Sequence, residues 1–176
     1  MNKSIHINQE ILFQTISDVA KAIENELASI NETGIFFVPE LHFAFEVGKA
    51  IYKYREEIFG SKDLNWVREK NLGNGGPSDL IFENDTDSVV FEFKIADTWN
   101  SYKKDVEKLQ NIPDKEGHRY HKFFVALVDQ FRGKKDGRID YLQSLDQSHI
   151  RMESFEVGYS GYKGEISCVV VLYKVN

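Results

Sequence analysis

Apolar residues along this chain recur in patterns that change from helical spacing to strand alternation and back. Between Ile11 and Ile30, the positions Ile16, Val19, Ala20, Ile23 and Leu27 return every three or four residues, which predicts a helix. Asn31-Glu32-Thr33-Gly34 should end it, with Gly34 as the stop. After the short apolar run Ile35 to Val38, Pro39 suits the start of a second helix, expected from Glu40 to Phe59, with Gly60 following. Asn65 to Leu72 reads as a strand, and Gly73-Asn-Gly-Gly-Pro77 as a tight loop. Asp79–Phe82 and Val89–Ile95 alternate as strands around the polar turn Asn84-Asp-Thr-Asp87. A helix is expected from Ser101 to Ile112, stopped by Pro113, then a buried strand from Phe123 to Val128. A short helix over Ile139–Leu145 and strands at Phe155–Tyr159 and Ile166–Tyr173 complete the reading. Helices, a hairpin, a crossover helix and a further strand imply an α/β (α+β) fold, a central mixed sheet flanked by helices.

The hairpin brings specific residues together. A turn centred between Asp85 and Thr86 sets opposite one another those residues whose numbers sum to 171. Phe82 then meets Val89 and Asp79 meets Glu92. Opposed residues share a sheet face, as do residues two apart, so Lys94 joins Asp79 and Glu92. Ile81 and Val90 continue that face, while Leu80, Phe82, Val89, Phe91 and Phe93 form the other, which is core. Two carboxylates so close repel one another and rise in pKa unless a cation neutralises them. Mg²⁺ commonly takes one or two carboxylates and keeps several waters.

Composition narrows the setting. With 176 residues, 41% hydrophobic and 28% charged, residues 1–176 suit one domain with a real core rather than a disordered chain. No apolar run approaches the roughly 20 residues of a membrane helix. The opening Met1-Asn-Lys-Ser-Ile-His6 lacks a leader's apolar stretch. A single cysteine, Cys168, excludes an internal disulfide and a thiolate zinc site, and a reduced cytoplasmic setting is the simplest expectation. It lies in an apolar strand, as a core residue does. The net charge of −6 argues against a protein that coats nucleic acid, though local patches outweigh the sum.

Gly76-Pro77-Ser78-Asp79, twelve residues, then Glu92-Phe93-Lys94 resembles the motif of the PD-(D/E)XK nuclease superfamily, the restriction-endonuclease-like fold. The resemblance runs over about residues 36 to 130. Ser78 is a departure, standing between the proline and the aspartate. The resemblance implies a Mg²⁺- or Mn²⁺-dependent endonuclease cutting phosphodiester bonds, DNA foremost, in restriction, repair, mobile-element or defence roles. Asp79, Glu92 and the carbonyl of Phe93 would hold the metal, with an upstream glutamate in support. Glu40 is the first choice for that glutamate, and Glu46 and Glu69 compete. Lys94 would position or activate water. Such proteins often act as homodimers.

Other charges have weaker claims. Lys103, Lys104 and Lys108 on the expected helix could meet phosphates, or form a solvated face balanced by Asp105 and Glu107. Lys134 and Lys135, in the basic loop Arg132–Arg138, could track a nucleic-acid backbone or be a soluble turn. His6, His42, His118, His121 and His149 read as scattered structural residues, and Trp66, Trp99, Tyr102, Phe123 and Phe124 as core. The alternative to an enzyme is a catalytically inactive nuclease-fold module that binds nucleic acid or another protein. The acidic net charge favours it.

Overall fold

In a computed structural model that describes residues 4–31, 33–158 and 163–176, the chain forms a six-stranded mixed sheet covered by helices on both faces. Helix α1 (Gln9–Asn31) and a short 3₁₀ turn (Ile35–Phe37) precede α2 (Glu40–Lys53) and α3 (Arg55–Phe59). Then come β1 (Asn65–Asn71), β2 (Pro77–Glu83), β3 (Asp87–Ile95), α4 (Trp99–Gln110) and β4 (Arg119–Phe131). The chain ends with α5 (Gly137–Ser144), β5 (Ile150–Glu156) and β6 (Ile166–Val175). The strand order is β1-β2-β3-β4-β6-β5. Among the described strands only β3 and β4 run parallel, because α4 carries the chain back across the sheet between them.

The hairpin register is the expected one. Leu80 lies opposite Phe91, Ile81 opposite Val90 and Phe82 opposite Val89. Its turn is closed by Asn84, whose backbone N–H donates to the Asp87 carbonyl at 2.9 Å and whose side chain accepts from the N–H groups of Thr86 and Asp87. Alternation then sorts the strands between two cores. Leu80, Phe82, Val89, Phe91, Phe93, Phe123 and Val125 pack against α1 and α2 through Leu12, Ile16, Phe43 and Val47. Ile81, Val90, Phe124 and Ala126 pack against Tyr102, Val106 and Leu109 of α4.

Several boundaries differ from expectation. The second helix breaks at Tyr54 (φ −103°, ψ 21°) into α2 and α3. Arg55 satisfies the freed end, donating to the carbonyls of Tyr52 and Lys62. Gly34 does not cap α1 in the left-handed form; it is extended (φ −143°) and opens the 3₁₀ turn. Strand β4 is longer than its apolar run because its polar ends still pair with β3 and β6. Strand β5 begins five residues before the expected Phe155, at Ile150. It is an edge strand with Arg151, Glu153 and Ser154 among its positions, so no apolar run marks it. Helix α4 starts at Trp99, with Thr98 as its N-cap. Met1, Asn2, Lys3, Glu32 and Tyr159, which entered the expected leaderless start, helix stop and strand end, lie outside the described residues. Among the described residues no helix is long and apolar enough to cross a membrane.

Candidate functional site

Four elements deliver charged side chains to one end of the hairpin. Strand β2 brings Asp79, and β3 brings Glu92 and Lys94. Helix α2 contributes its first residue, Glu40, and α4 contributes Asp105 and Lys108 as it crosses above. Asp79 Oδ2 accepts the backbone N–H of Phe93 at 2.8 Å, tying the two halves of the motif together. Lys94 Nζ lies 3.0 Å from Glu40 Oε1, 3.0 Å from Asp105 Oδ2 and 3.1 Å from the Phe93 carbonyl. The other Glu40 oxygen accepts from the N–H of Ile95 at 3.3 Å. Lys108 Nζ donates to Glu92 Oε2 at 2.8 Å and to the Pro77 carbonyl at 2.6 Å.

Of the three candidate upstream glutamates, Glu40 reaches this cluster. Glu46 forms an ion pair with Lys49 on its own helix, and Glu69 sits on β1 at a left-handed backbone position (φ 53°). Ala96, also left-handed at φ 48°, turns the chain out of β3 toward α4, with its N–H held by the Leu127 carbonyl.

Burial sets the electrostatics. Glu92 is 2% exposed, and its pKa rises from an ordinary 4.5 to about 7, first through desolvation and then through the charge of Asp79. Lys108 offsets this only in part. Desolvation also raises Asp79, against the opposing hydrogen bond from Phe93, and raises Glu40 despite the neighbouring Lys94. Burial disfavours the charged form of Lys94, but Asp105 and Glu40 more than compensate and hold it above the usual lysine range. Lys94 is therefore a firm cation, a donor with no lone pair to accept a proton.

Among the described residues, no three His, Cys, Asp or Glu side chains converge into a ready metal cage. The donor set nevertheless suits a hard divalent ion. Four carboxylates, Glu40, Asp79, Glu92 and Asp105, share the cluster with two ammonium groups, so that when all are ionised the acids outnumber the cations by two. Among the described residues, Glu92 Oε1 is buried without a hydrogen-bond partner, with the Ser78 hydroxyl as its neighbour. Asp79, Glu92 and the Phe93 carbonyl supply two carboxylates and a carbonyl, which is enough for Mg²⁺ with its retained waters.

The remaining candidates stand apart from this cluster. Lys103 and Lys104 are exposed on α4, and Lys103 pairs loosely with Glu107 at 3.7 Å. Lys134 and Lys135 are exposed in the loop after β4, where Lys134 stacks over the Phe131 ring and Arg132 pairs with Glu156 and Glu165. Lys108 does not face solvent phosphates as considered from sequence; it turns inward to Glu92. Asp105, counted as surface balance, pairs with Lys94. Their three-residue spacing on one side of α4 was the available signal, but a solvated face has the same spacing. Trp99 is 46% exposed rather than core, whereas Tyr102, Phe123, Phe124 and Cys168 are fully buried.

No family model matches this chain, and no curated protein or solved structure matches it significantly.

Proposed function

We propose that this chain is a metal-dependent nuclease of PD-(D/E)XK type, on a restriction-endonuclease-like fold, that hydrolyses phosphodiester bonds in DNA. The observation that carries this reading is the meeting of Asp79, Glu92, Lys94 and Glu40 at one end of the β2–β3 hairpin. The order of α2, the β1–β2–β3 strands, α4 and β4 supports it, since the motif lies where that arrangement needs it.

Asp79, Glu92 and the Phe93 carbonyl would hold Mg²⁺ or Mn²⁺, with Glu40 supporting through Lys94. When bound, such an ion polarises a phosphoryl oxygen and lowers the pKa of the attacking water. Lys94, kept protonated by Glu40 and Asp105, orients that water and offsets negative charge building on the phosphoryl oxygens. Lys108 donates to both the Glu92 carboxylate and the Pro77 carbonyl, which fixes the carboxylate's direction. Exposed Lys103, Lys104, Lys134 and Lys135 provide phosphate contacts that the net charge of −6 would otherwise deny.

Incubation of supercoiled plasmid with the chain and Mg²⁺ tests the reading. Nicking should occur, should stop with chelator, and should fall at least about 10²-fold in Asp79→Ala and Lys94→Ala. Unchanged cleavage in either variant would overturn it. The Lys108–Glu92 ion pair favours a second reading, a nuclease fold that binds nucleic acid or protein without turnover. Calorimetry showing no Mn²⁺ binding, together with retained DNA binding, would support that one instead.

A further inference from the structure

At the opposite end of the sheet from the carboxylates, a cleft of about 640 Å³ opens between the segment ahead of α1 and the faces of β4 and β6. Alternation along β4 points Arg119, His121 and Phe123 to this side, and Lys174 lies opposite Phe123 on β6. The half-buried Ile7 lines the facing wall, with Ile5 buried behind it in the core. Two of the basic groups are fixed in place. Asp87, fully buried at the start of β3, holds Arg119 at 2.7 Å and His121 at 3.3 Å, and also accepts from the Thr86 hydroxyl at 2.8 Å. Lys174 is half-buried and, among the described residues, makes no ion pair. Asp87 thus meets one permanent cation and an imidazole, and Lys174 adds a second cation to the same cleft, in a chain whose net charge is −6.

We propose that this cleft binds a small organic anion, its phosphate or carboxylate head against Arg119, His121 and Lys174, its apolar body against the half-buried Ile7 of the facing wall. A tethered guanidinium and an unpaired, partly desolvated ammonium are an arrangement that an oxyanion completes. Ile7 beside them gives the mixed polar and apolar lining of small-molecule sites. Burial and the charges of Arg119 and Lys174 lower the His121 pKa against the pull of Asp87, so the imidazole registers any anion that enters.

The full chain is titrated calorimetrically with AMP, with hexanoate and with inorganic phosphate, while the His121 ring is followed by NMR. AMP or hexanoate should bind and shift the His121 resonances, and whichever binds identifies the head group. Lys174→Glu should weaken binding by about tenfold or more, and Lys174→Arg should retain it. Binding should persist in Asp79→Ala, which separates this cleft from the nuclease site. Failure of both organic anions at millimolar concentration overturns the proposal. So does undiminished binding in Lys174→Glu, or inorganic phosphate binding as tightly as the organic anions, which marks an adventitious ion only.

Discussion

The carboxylate of Asp79 accepts the N–H of Phe93 at 2.8 Å, just past the last paired residues of the hairpin, Leu80 and Phe91. A side chain thus takes over where strand pairing stops, and it positions the backbone between Glu92 and Lys94. Asparagine can still accept that N–H, whereas alanine leaves it without this partner. Asp79→Asn should therefore be more stable than Asp79→Ala by about 1 kcal/mol in urea unfolding, while both lose plasmid nicking. Equal stabilities would mean that the hydrogen bond does not organise the site.

Lys108 stands between a buried carboxylate and its desolvation cost. Lys108→Met leaves Glu92 without its ion partner and should lower stability by up to about 3 kcal/mol at neutral pH. The loss is bounded because Glu92, already near 7, takes up a proton instead. In a Glu92→Gln background the same substitution should cost close to nothing. A double-mutant cycle from denaturant melts checks this, and additive losses would refute the coupling.

Sequence made the hairpin legible because two signals agreed: the alternation of Leu80, Phe82, Phe91 and Phe93, and a turn that Asn84 can close with its own side chain. Asp79, Glu92 and Lys94 followed from that register. Asp105 and Lys108 did not, because their partners depend on where α4 crosses the sheet. Three acids remained open upstream for a similar reason. Glu40 reaches Lys94 only because α2 places its first turn at the hairpin's end, a tertiary fact with no local pattern. Only the end of edge strand β5 was read, from Phe155, since a half-exposed strand with one neighbour carries polar residues such as Arg151, Glu153 and Ser154 and leaves no apolar run.

The assignment of Glu40 separates cleanly from its rivals. Glu40→Gln removes the negative charge beside Lys94 Nζ, so Lys94 loses one of its two carboxylates and cleavage should drop roughly tenfold or more. Glu46→Gln and Glu69→Gln should cleave at the parental rate. A nicking assay on the three proteins decides, and a larger loss in either of the latter two would move the supporting role there.

Gly48 tests the packing that holds α2, and with it Glu40, against the sheet. Replacing a helical glycine with alanine ordinarily gains up to about 1 kcal/mol. Here the new Cβ would meet the Trp66 ring at 2.6 Å, and that ring is already flanked by Phe45 and Tyr52 at 5.6 and 6.0 Å. Overpacking of this kind costs about 1–3 kcal/mol and wins. Gly48→Ala should lower the melting temperature, and a rise would show that Trp66 can swing away.

Glu92 gives the site a pH signature whose sign follows from its burial. Its pKa is raised from 4.5 when unfolded to about 7 when folded. Between those values the native state keeps a proton that the unfolded chain has lost, so stability falls as pH rises through that window. The gap corresponds to roughly 3 kcal/mol from this group, fully expressed above the folded value. Asp79 and Glu40, also raised, act in the same direction, whereas His121, lowered from 6.5, opposes them with a smaller share below that value. Urea melts in chelator should therefore give a less stable protein at about pH 8 than at about pH 5, with a shallower slope in Glu92→Gln. Saturating Mg²⁺ should restore more stability at the higher pH, because a cation favours the ionised carboxylates. Stability that rises with pH across this window, or a slope untouched by Glu92→Gln, would show that the acids are not held in the strained, desolvated state the site's chemistry needs.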